Sequence, residues 1–187
     1  MDDADSQLVA AWCSGDAQAF EALYFRHAER VWRYARYFCG DEDSAAEVVQ
    51  ESFVRVAKHA GRFEGRARFS TWLFTIVRSA AVDAASRRRR APTAASGEEW
   101  MHRVPAQTPS PEERLALNET RAAVRAAIAR LPENEREAVL LCEIEDLPLR
   151  DAAEILGWGE SRIKVTLFRA RRRLKDMLSP HVEARTP

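Results

Sequence analysis

The chain reads as all-α: two small helical domains joined by a flexible linker, the second with a C-terminal helix-turn-helix. Three observations carry that expectation. Apolar residues recur at spacings of three and four through most of the chain, with almost none of the period-two alternation a half-buried strand needs. Residues 91–111 hold Pro92, Pro105, Pro109 and Pro111 among Ala, Ser, Thr and Gln, the composition of a linker. A very basic helical stretch, Arg162 to Leu178, follows a short helical pattern at Leu149–Leu156 and the turn Gly157-Trp158-Gly159.

In the first domain, Ser6 is placed to cap a short helix carrying Leu8, Val9 and Trp12, closed by Gly15. Asp16 is the expected N-cap of a long helix that ends before Gly40, with Phe20, Leu23, Tyr24, His27, Val31, Tyr34 and Phe38 on its apolar face. His27 lies on that stripe and reads as a core histidine rather than a ligand, and Trp32 beside it as a further core aromatic. Asp41 to Ser44 opens the next helix, with Ala46, Val49, Phe53 and Val56 inward. Its other face, Asp43, Glu47, Gln50, Glu51 and Arg55, has the pattern of an ordinary solvated acidic surface.

The segment Gly61 to Phe74 differs from its surroundings: two glycines break the helix, and arginines alternate with Phe63, Phe69, Trp72 and Phe74. Ser70 is a candidate N-cap for a helix whose inner side includes Leu73, Ile76, Val77 and Ala80 and which ends in Arg87-Arg88-Arg89-Arg90. Arginines supply phosphate contacts, and exposed aromatics are platforms for unpaired bases; a stacked base gains about 1–3 kcal/mol. That is comparable to the few kcal/mol needed to unstack and unpair a base. The competing reading places some of these rings in the core, Phe74 first among them.

The second domain begins with a stripe of Val124, Ala127, Ile128 and Leu131, then a helix started by Pro132 and bearing Val139, Leu140, Leu141 and Ile144. Asp146-Leu147-Pro148 makes the bend into the helix-turn-helix. In its second helix, Ile163, Leu167, Ala170 and Leu174 form one narrow apolar stripe. Arg162, Lys164, Arg169, Arg171, Arg172, Arg173 and Lys175 occupy the rest, the layout of a DNA-reading helix. A solvated basic helix packed on a small bundle is the alternative. His181 to Pro187 reads as a frayed tail.

The zero net charge conceals an alternation: residues 1–60 carry −5, 61–90 carry +6, 91–157 carry −6 and 158–187 carry +5. Two separate basic surfaces imply two contacts with a polyanion, and the acidic blocks imply protein-facing surfaces or shielding of one patch by another. A chain so balanced should bind DNA weakly alone, because its acidic blocks oppose counterion release. Cys13, Cys39 and Cys142 are far apart and in no metal-ligand spacing, and read as small buried thiols of a reducing cytoplasm. No apolar run approaches the roughly 20 residues that cross a bilayer, and the acidic N-terminus lacks the features of a signal peptide. There is no phosphate-cradling glycine loop, metal cluster or nucleophile motif, and His27, His59, His102 and His181 are scattered. No enzyme, cofactor or small-molecule substrate is expected.

Five motifs in order, D-S-A-A-E-V-V-Q-E-S-F-V-R-V (43–56), S-T-W-L-F-T-I-V-R (70–78), A-V-D (81–83), L-P-E-N-E-R-E-A-V-L-L (131–141) and L-F-R-A-R-R-R-L (167–174), resemble those of bacterial RNA polymerase sigma factors. More narrowly, the chain resembles the extracytoplasmic-function group, which keeps only the second and fourth conserved regions. The resemblance implies a region 2 domain at 1–90, a linker at 91–111, a region 4 domain at 112–180 and a tail at 181–187. Asp43, Glu47, Gln50, Glu51 and Phe53 would dock on the beta-prime clamp helices of core RNA polymerase, replacing the bland reading of that face, and the second domain on the beta flap. Arg62, Phe63, Arg66, Arg68, Phe69, Ser70, Thr71 and Trp72 would capture bases of the minus-10 element, with Arg78, Ser79 and Asp83 behind them and Arg87, Arg88, Arg89 and Arg90 on the upstream duplex. Many relatives have asparagine at the position of Ser79.

At the minus-35 element the same resemblance implies Arg162, Lys164, Val165 and Thr166 at base edges and Arg169, Arg171, Arg172 and Arg173 mainly on phosphates. Many relatives have Ser-Arg where this chain has Val165-Thr166, so a guanine contact worth about 1–3 kcal/mol is lost and Val165 is free to meet a thymine methyl. Promoter elements about two helical turns, roughly 70 Å, apart match the most that about 21 extended residues span. The linker would therefore run nearly extended unless the domains cover part of the gap, as they should. The resemblance implies that it threads the polymerase, with Trp100 as its anchor. The resemblance also implies an anti-sigma factor clamped over both domains, and a cytoplasmic protein, free or held at the inner membrane face by a membrane-bound partner. A stand-alone helix-turn-helix regulator binding an operator as a dimer is the competing class, and the arginine-aromatic strip speaks against it.

Overall fold

The computed structural model describes residues 3–90 and 111–183, with the side chains of 4–88 and 119–179. Every regular element in them is helical: α1 (Asp3–Cys13), α2 (Ala17–Cys39), α3 (Glu42–His59), a 3₁₀ turn (Ala60–Arg62), α4 (Phe69–Arg90), α5 (Pro111–Ala129), α6 (Glu133–Val139), α7 (Leu149–Leu156) and α8 (Glu160–Glu183). Between α6 and the bend before α7, Leu140–Ile144 winds as a π-helical turn. Trp100 and the prolines before Pro111 lie outside the described residues. Pro111 itself is the first residue of α5, where a missing amide costs nothing.

Local chemistry sets the boundaries. Asp16 caps α2 by accepting from the amides of Gln18 and Ala19 at 2.9 and 3.4 Å, and Gly40 ends that helix with φ +87°, a conformation glycine adopts without a Cβ penalty. Asp41 caps α3 through the Ser44 amide. Gly157, φ +66°, ends α7 and opens the turn into α8. Two expected caps are displaced. Helix α1 is already formed at Asp3, so Ser6 lies inside it. Helix α4 starts at Phe69, with the Trp72 amide bonded to the Arg68 carbonyl, so Ser70 sits in the first turn rather than before it. Helix α8 continues through His181 to Glu183, into the stretch expected as tail.

Helices α1–α4 pack around Leu23, Val31, Tyr34, Val48, Val56, Phe69, Leu73, Phe74 and Val77, and α5–α8 around Ile128, Leu140, Leu141, Ile155, Ile163 and Leu167. On α3 the buried face is Ala45, Val48, Val49, Ser52, Phe53 and Val56, with Ala46 only half-buried. Trp32 is not core: it lies off the stripe of Val31, Tyr34, Ala35 and Phe38 and is exposed. Cys13 is likewise exposed. Cys39 and Cys142 are half-buried, and burial pushes their thiols up to about 12 and about 11, so both stay protonated.

The two bundles are not separate beads: their buried apolar residues form one continuous cluster. Polar contacts also cross the boundary. Arg30 and Arg33 of α2 hold Glu145, Arg78 of α4 holds Glu137, the Thr71 hydroxyl donates to Asp151 at 2.9 Å, and Arg136 donates to the Phe38 carbonyl at 3.4 Å. Of these contacts, Arg78–Glu137 joins a basic block of the sequence to an acidic one, whereas Arg30 and Arg33 are cations within the net-acidic first block.

His27 is buried as expected, and Asp5 is the reason it is tolerated. His27 Nε2 lies 2.9 Å from Asp5 Oδ2, Arg26 pairs with the other oxygen at 2.6 Å, and His27 Nδ1 has no partner. Burial lowers the His27 pKa below its ordinary value, and Arg30 and Arg26 act in the same direction against the opposing pull of Asp5. The ring is thus neutral, with Nε2–H donating to Asp5 and Nδ1 bare. A group with a depressed folded pKa keeps its full contribution above the unfolded value near 6.5 and loses it as pH falls further. Thermal melts should show the first domain losing stability below about pH 6.5, and His27→Gln should flatten that dependence. A melting temperature of the variant that falls with acid as steeply as the wild type's would assign the loss elsewhere.

Candidate nucleic-acid interface

Two cationic surfaces carry most of the residues singled out from the sequence. The first runs from Arg62 to Trp72 and along α4. Arg62, Arg66 and Arg68 are exposed, and Gly65, at φ +68°, turns the loop between them. Arg66 pairs with Glu64 at 2.7 Å on an open surface, where such a pair contributes little. Phe63, Phe69 and Trp72 form one aromatic cluster, with ring centroids 5.5 Å (Phe63–Trp72), 5.7 Å (Phe63–Phe69) and 5.8 Å (Phe69–Trp72) apart.

Within that cluster the expected platform divides. Phe69 is 0 % exposed and also abuts His27, so it is the floor of the strip and not a ring offered to solvent. Thr71, 1 % exposed, is turned to Asp151 of the second domain. Phe74 is core, as the competing reading had it. Phe63 and Trp72 remain half-buried, each with part of the ring open, and Ser70 is half-buried beside them.

Farther along α4, the expected DNA residues already have partners. Arg78 is held by Glu137 at 2.8 and 3.3 Å. Ser79 and Asp83 both accept from Arg55 of α3, at 3.2 and 2.9 Å, and Arg55 also pairs with Glu51 at 2.7 Å, which raises its pKa further. Arg87 pairs with Glu47, and Arg88 with Asp41. The side chains of Arg89 and Arg90 lie outside the described residues. The outer face of α3 presents Asp43, Glu47 and Gln50 to solvent, with Glu51 half-buried. Phe53, expected on that docking face, is 5 % exposed and packs edge-on against Tyr24 at 4.6 Å, so it stabilises the bundle from inside.

The second surface is α8. Ile163, Thr166, Leu167 and Ala170 are buried against α5–α7. Thr166 shares the inner side with Ile163 and Ala170, three and four residues away, and so cannot reach base edges as expected. Arg162 is exposed and its guanidinium lies over the Trp158 ring, 4.1 Å from the centroid, a stacking that fixes its direction at the start of the helix. Arg171 and Arg173 pair with Glu143 and Glu135 of the same domain, while Lys164, Arg169 and Arg172 are exposed. Val165 is 51 % exposed, and so, at 70 %, is Phe168. Phe168 was missed in the sequence, although its place was legible: Val165, Phe168 and Arg172 follow at spacings of three and four on the side opposite Ile163 and Leu167. Val165 and Phe168 thus form an outward ridge of two apolar side chains flanked by Lys164, Arg169 and Arg172.

The family model of sigma-70 region 2 matches residues 23–91, and that of sigma-70 region 4 matches residues 121–174. The chain is 33% identical to an ECF RNA polymerase sigma factor, SigM of Mycobacterium tuberculosis, over 93% of this chain and 84% of that one. The chain belongs to the extracytoplasmic-function sigma factors. This sigma factor is also 32% identical to the RNA polymerase sigma-H factor of Pseudomonas aeruginosa, over 94% of each chain. Among solved structures, that of CnrH in complex with the cytosolic domain of CnrY superposes with TM-score 0.70 at 26% identity, over 98% of this chain and 99% of that one. The fold is shared with the sigma factor RpoE of Bartonella quintana, solved with the anti-sigma factor NepR, at TM-score 0.68 and 23% identity, over 87% of this chain and 98% of that one. The two matched regions coincide with the two cationic surfaces.

Proposed function

We propose that this sigma factor binds core RNA polymerase, reads the minus-35 and minus-10 elements of a promoter, promotes duplex melting, and is kept inactive by an anti-sigma factor until it is released. The observation that carries the reading is the pairing of two matched regions with two cationic surfaces of different design, one edged with half-open aromatic rings and one built on a single exposed helix. Region 2, with residues 1–90 as its domain, supplies the polymerase contact through Asp43, Glu47, Gln50 and Glu51, and the minus-10 contact through Arg62, Phe63, Arg66, Arg68, Ser70 and Trp72. Region 4, within 112–180, supplies the minus-35 contact, and 91–111 links the two. Polymerase holds both domains at a set separation, which turns two weak DNA sites into one bivalent reader. A cytoplasmic location follows from these partners; among the described residues no helix is long and apolar enough to cross a membrane. CnrH was solved with the cytosolic domain of CnrY bound, and a second protein closed over both domains is the inactive form we assign here.

Transcription in vitro tests the whole reading. Purified protein with core polymerase should start transcripts from a promoter carrying both elements, and silence across a promoter library would overturn it. Within region 4, Phe168→Ala and Arg162→Ala should change the preferred minus-35 sequence, by about 1–3 kcal/mol at the affected base pair. Arg172→Ala should weaken binding evenly across sequences and lower the salt dependence by about one unit. Binding curves on a set of minus-35 variants would show the reverse if readers and phosphate contacts have been exchanged. An operator-binding regulator acting alone leaves the region 2 match and the aromatic strip without a role.

A further inference from the structure

Glu145 is a buried carboxylate held from two sides by arginines of α2. Its side chain is 0% exposed, yet both oxygens are taken by guanidinium groups of the other domain. Arg33 Nε donates to Oε1 at 2.9 Å and its second nitrogen to Oε2 at 3.0 Å. Arg30 Nε donates to Oε2 at 3.1 Å and its second nitrogen to the Glu145 carbonyl at 2.9 Å. The residue stands at the end of the π-helical turn, just before Asp146, whose φ of 51° redirects the chain. One carboxylate thus sits between two guanidiniums, and Glu29, one turn before Arg33 on α2, also acts on that arginine.

Three features show what that pocket of charge is shaped for. Arg30 and Arg33 lie one turn apart on α2, and their forks converge on two oxygens of a single anion, the geometry by which arginine holds a phosphate as well as a carboxylate. The Arg30 guanidinium also lies 5.3 Å from the centre of the Phe74 ring. Phe74 shares one side of α4 with Thr71 and Arg78, three and four residues away, so Arg30 borders that ridge. Both polar residues of the ridge are occupied by the second domain, Thr71 by Asp151 and Arg78 by Glu137. The face proposed for polymerase, by contrast, is acidic and belongs to α3. Reading two promoter elements about two helical turns apart, roughly 70 Å, requires the domains to separate, and separation removes Glu145 and leaves both guanidiniums without their anion.

We propose that Arg30 and Arg33 form a phosphate clamp for the promoter backbone beside the minus-10 site, and that Glu145 fills this clamp as a phosphate mimic while the domains are closed. The second domain is then an intramolecular competitor of DNA at the first. This rests on the sigma-factor reading above and adds to it a DNA contact on α2 and the residue that blocks it.

The test uses the full chain with a forked minus-10 DNA fragment as probe, across a range of salt concentrations, with small-angle scattering to follow domain separation and circular dichroism to confirm folding. Glu145→Gln keeps the volume and removes the charge. It should expand the chain and strengthen binding of the fragment by the free protein about tenfold or more. The Arg30→Ala/Arg33→Ala double variant should expand the chain equally, but bind the fragment more weakly than Glu145→Gln, with a salt dependence shallower by about two units for two lost phosphate contacts. If the double variant binds with the strength and salt slope of Glu145→Gln, the pair is only a latch and the clamp is refuted. The clamp is also refuted if the double variant loses affinity for core polymerase while the assembled holoenzyme keeps its DNA affinity, because the pair then contacts protein. Failure of the wild-type chain to direct transcription would strike at the sigma-factor reading instead. That outcome is separable, because the salt slopes are measured without polymerase.

Discussion

Phe69→Ala should destabilise the first domain by about 3–5 kcal/mol, the cost of deleting a fully buried phenylalanine ring. Small domains have about 5–15 kcal/mol in total, so the loss is a large fraction of what holds this one together. In melting temperature it should exceed roughly 12 °C at the 4–8 °C per kcal/mol expected for a bundle of this size. The reason lies in where the ring sits: 0 % exposed, against His27 on one side and the Phe63–Trp72 pair on the other. Removing it opens a cavity under the strip and withdraws the support of both half-open rings. Calorimetry or thermal circular dichroism checks this directly. A variant that melts within a few degrees of wild type while losing promoter opening would return Phe69 to the role of a base platform, which its burial denies it.

The helices were legible because the apolar periodicity is strong and the caps are unambiguous. Asp16, Gly40, Asp41 and Gly157 each end or start a helix where their chemistry says they should. What periodicity cannot supply is the side of a helix that finds a partner from a distant segment. The sequence shows Phe53, Phe69 and Thr166 as members of attractive motifs, but each also falls on the buried side of its own helix, and burial prevails. Ser6 and Ser70 are good caps in isolation, yet in each case helix forms ahead of them, from Asp3 and from Phe69. The closed arrangement was legible only in small part, as a pattern of charge that covers Arg78–Glu137 but not Arg30 and Arg33, which lie in a net-acidic block. Four alternating blocks announced that opposite surfaces exist, but nothing in the spacing of Arg30 and Arg33 points to Glu145, more than a hundred residues away. Phe168 is the opposite case. Its exposure follows from its position relative to Ile163 and Leu167, on the same outward side as Val165 and Arg172.

Trp72→Ala should leave the fold standing and impair the melting step. The ring is half-buried and touches Phe63 and Phe69 from above, so truncation removes part of a cluster rather than its floor. If Trp72 stacks on an unpaired minus-10 base, its loss forfeits about 1–3 kcal/mol for that base, roughly a 5- to 150-fold fall in the open-to-closed ratio at the promoter. Closed-complex affinity should change little if it rests, as proposed, on phosphate contacts from Arg62, Arg66 and Arg68 and on region 4. Trp72→Phe should restore part of the opening, since any aromatic face retains stacking. Permanganate reactivity of unpaired thymines reads opening, and filter retention at low temperature reads closed binding, on the same promoter with the same holoenzyme. Equal losses in both would reduce Trp72 to a packing residue and move the melting function to Phe63, the other half-open ring of the strip. An intact closed complex with opening lost is the result that separates an initiation factor, which must hold single strands apart, from a repressor that needs only the duplex.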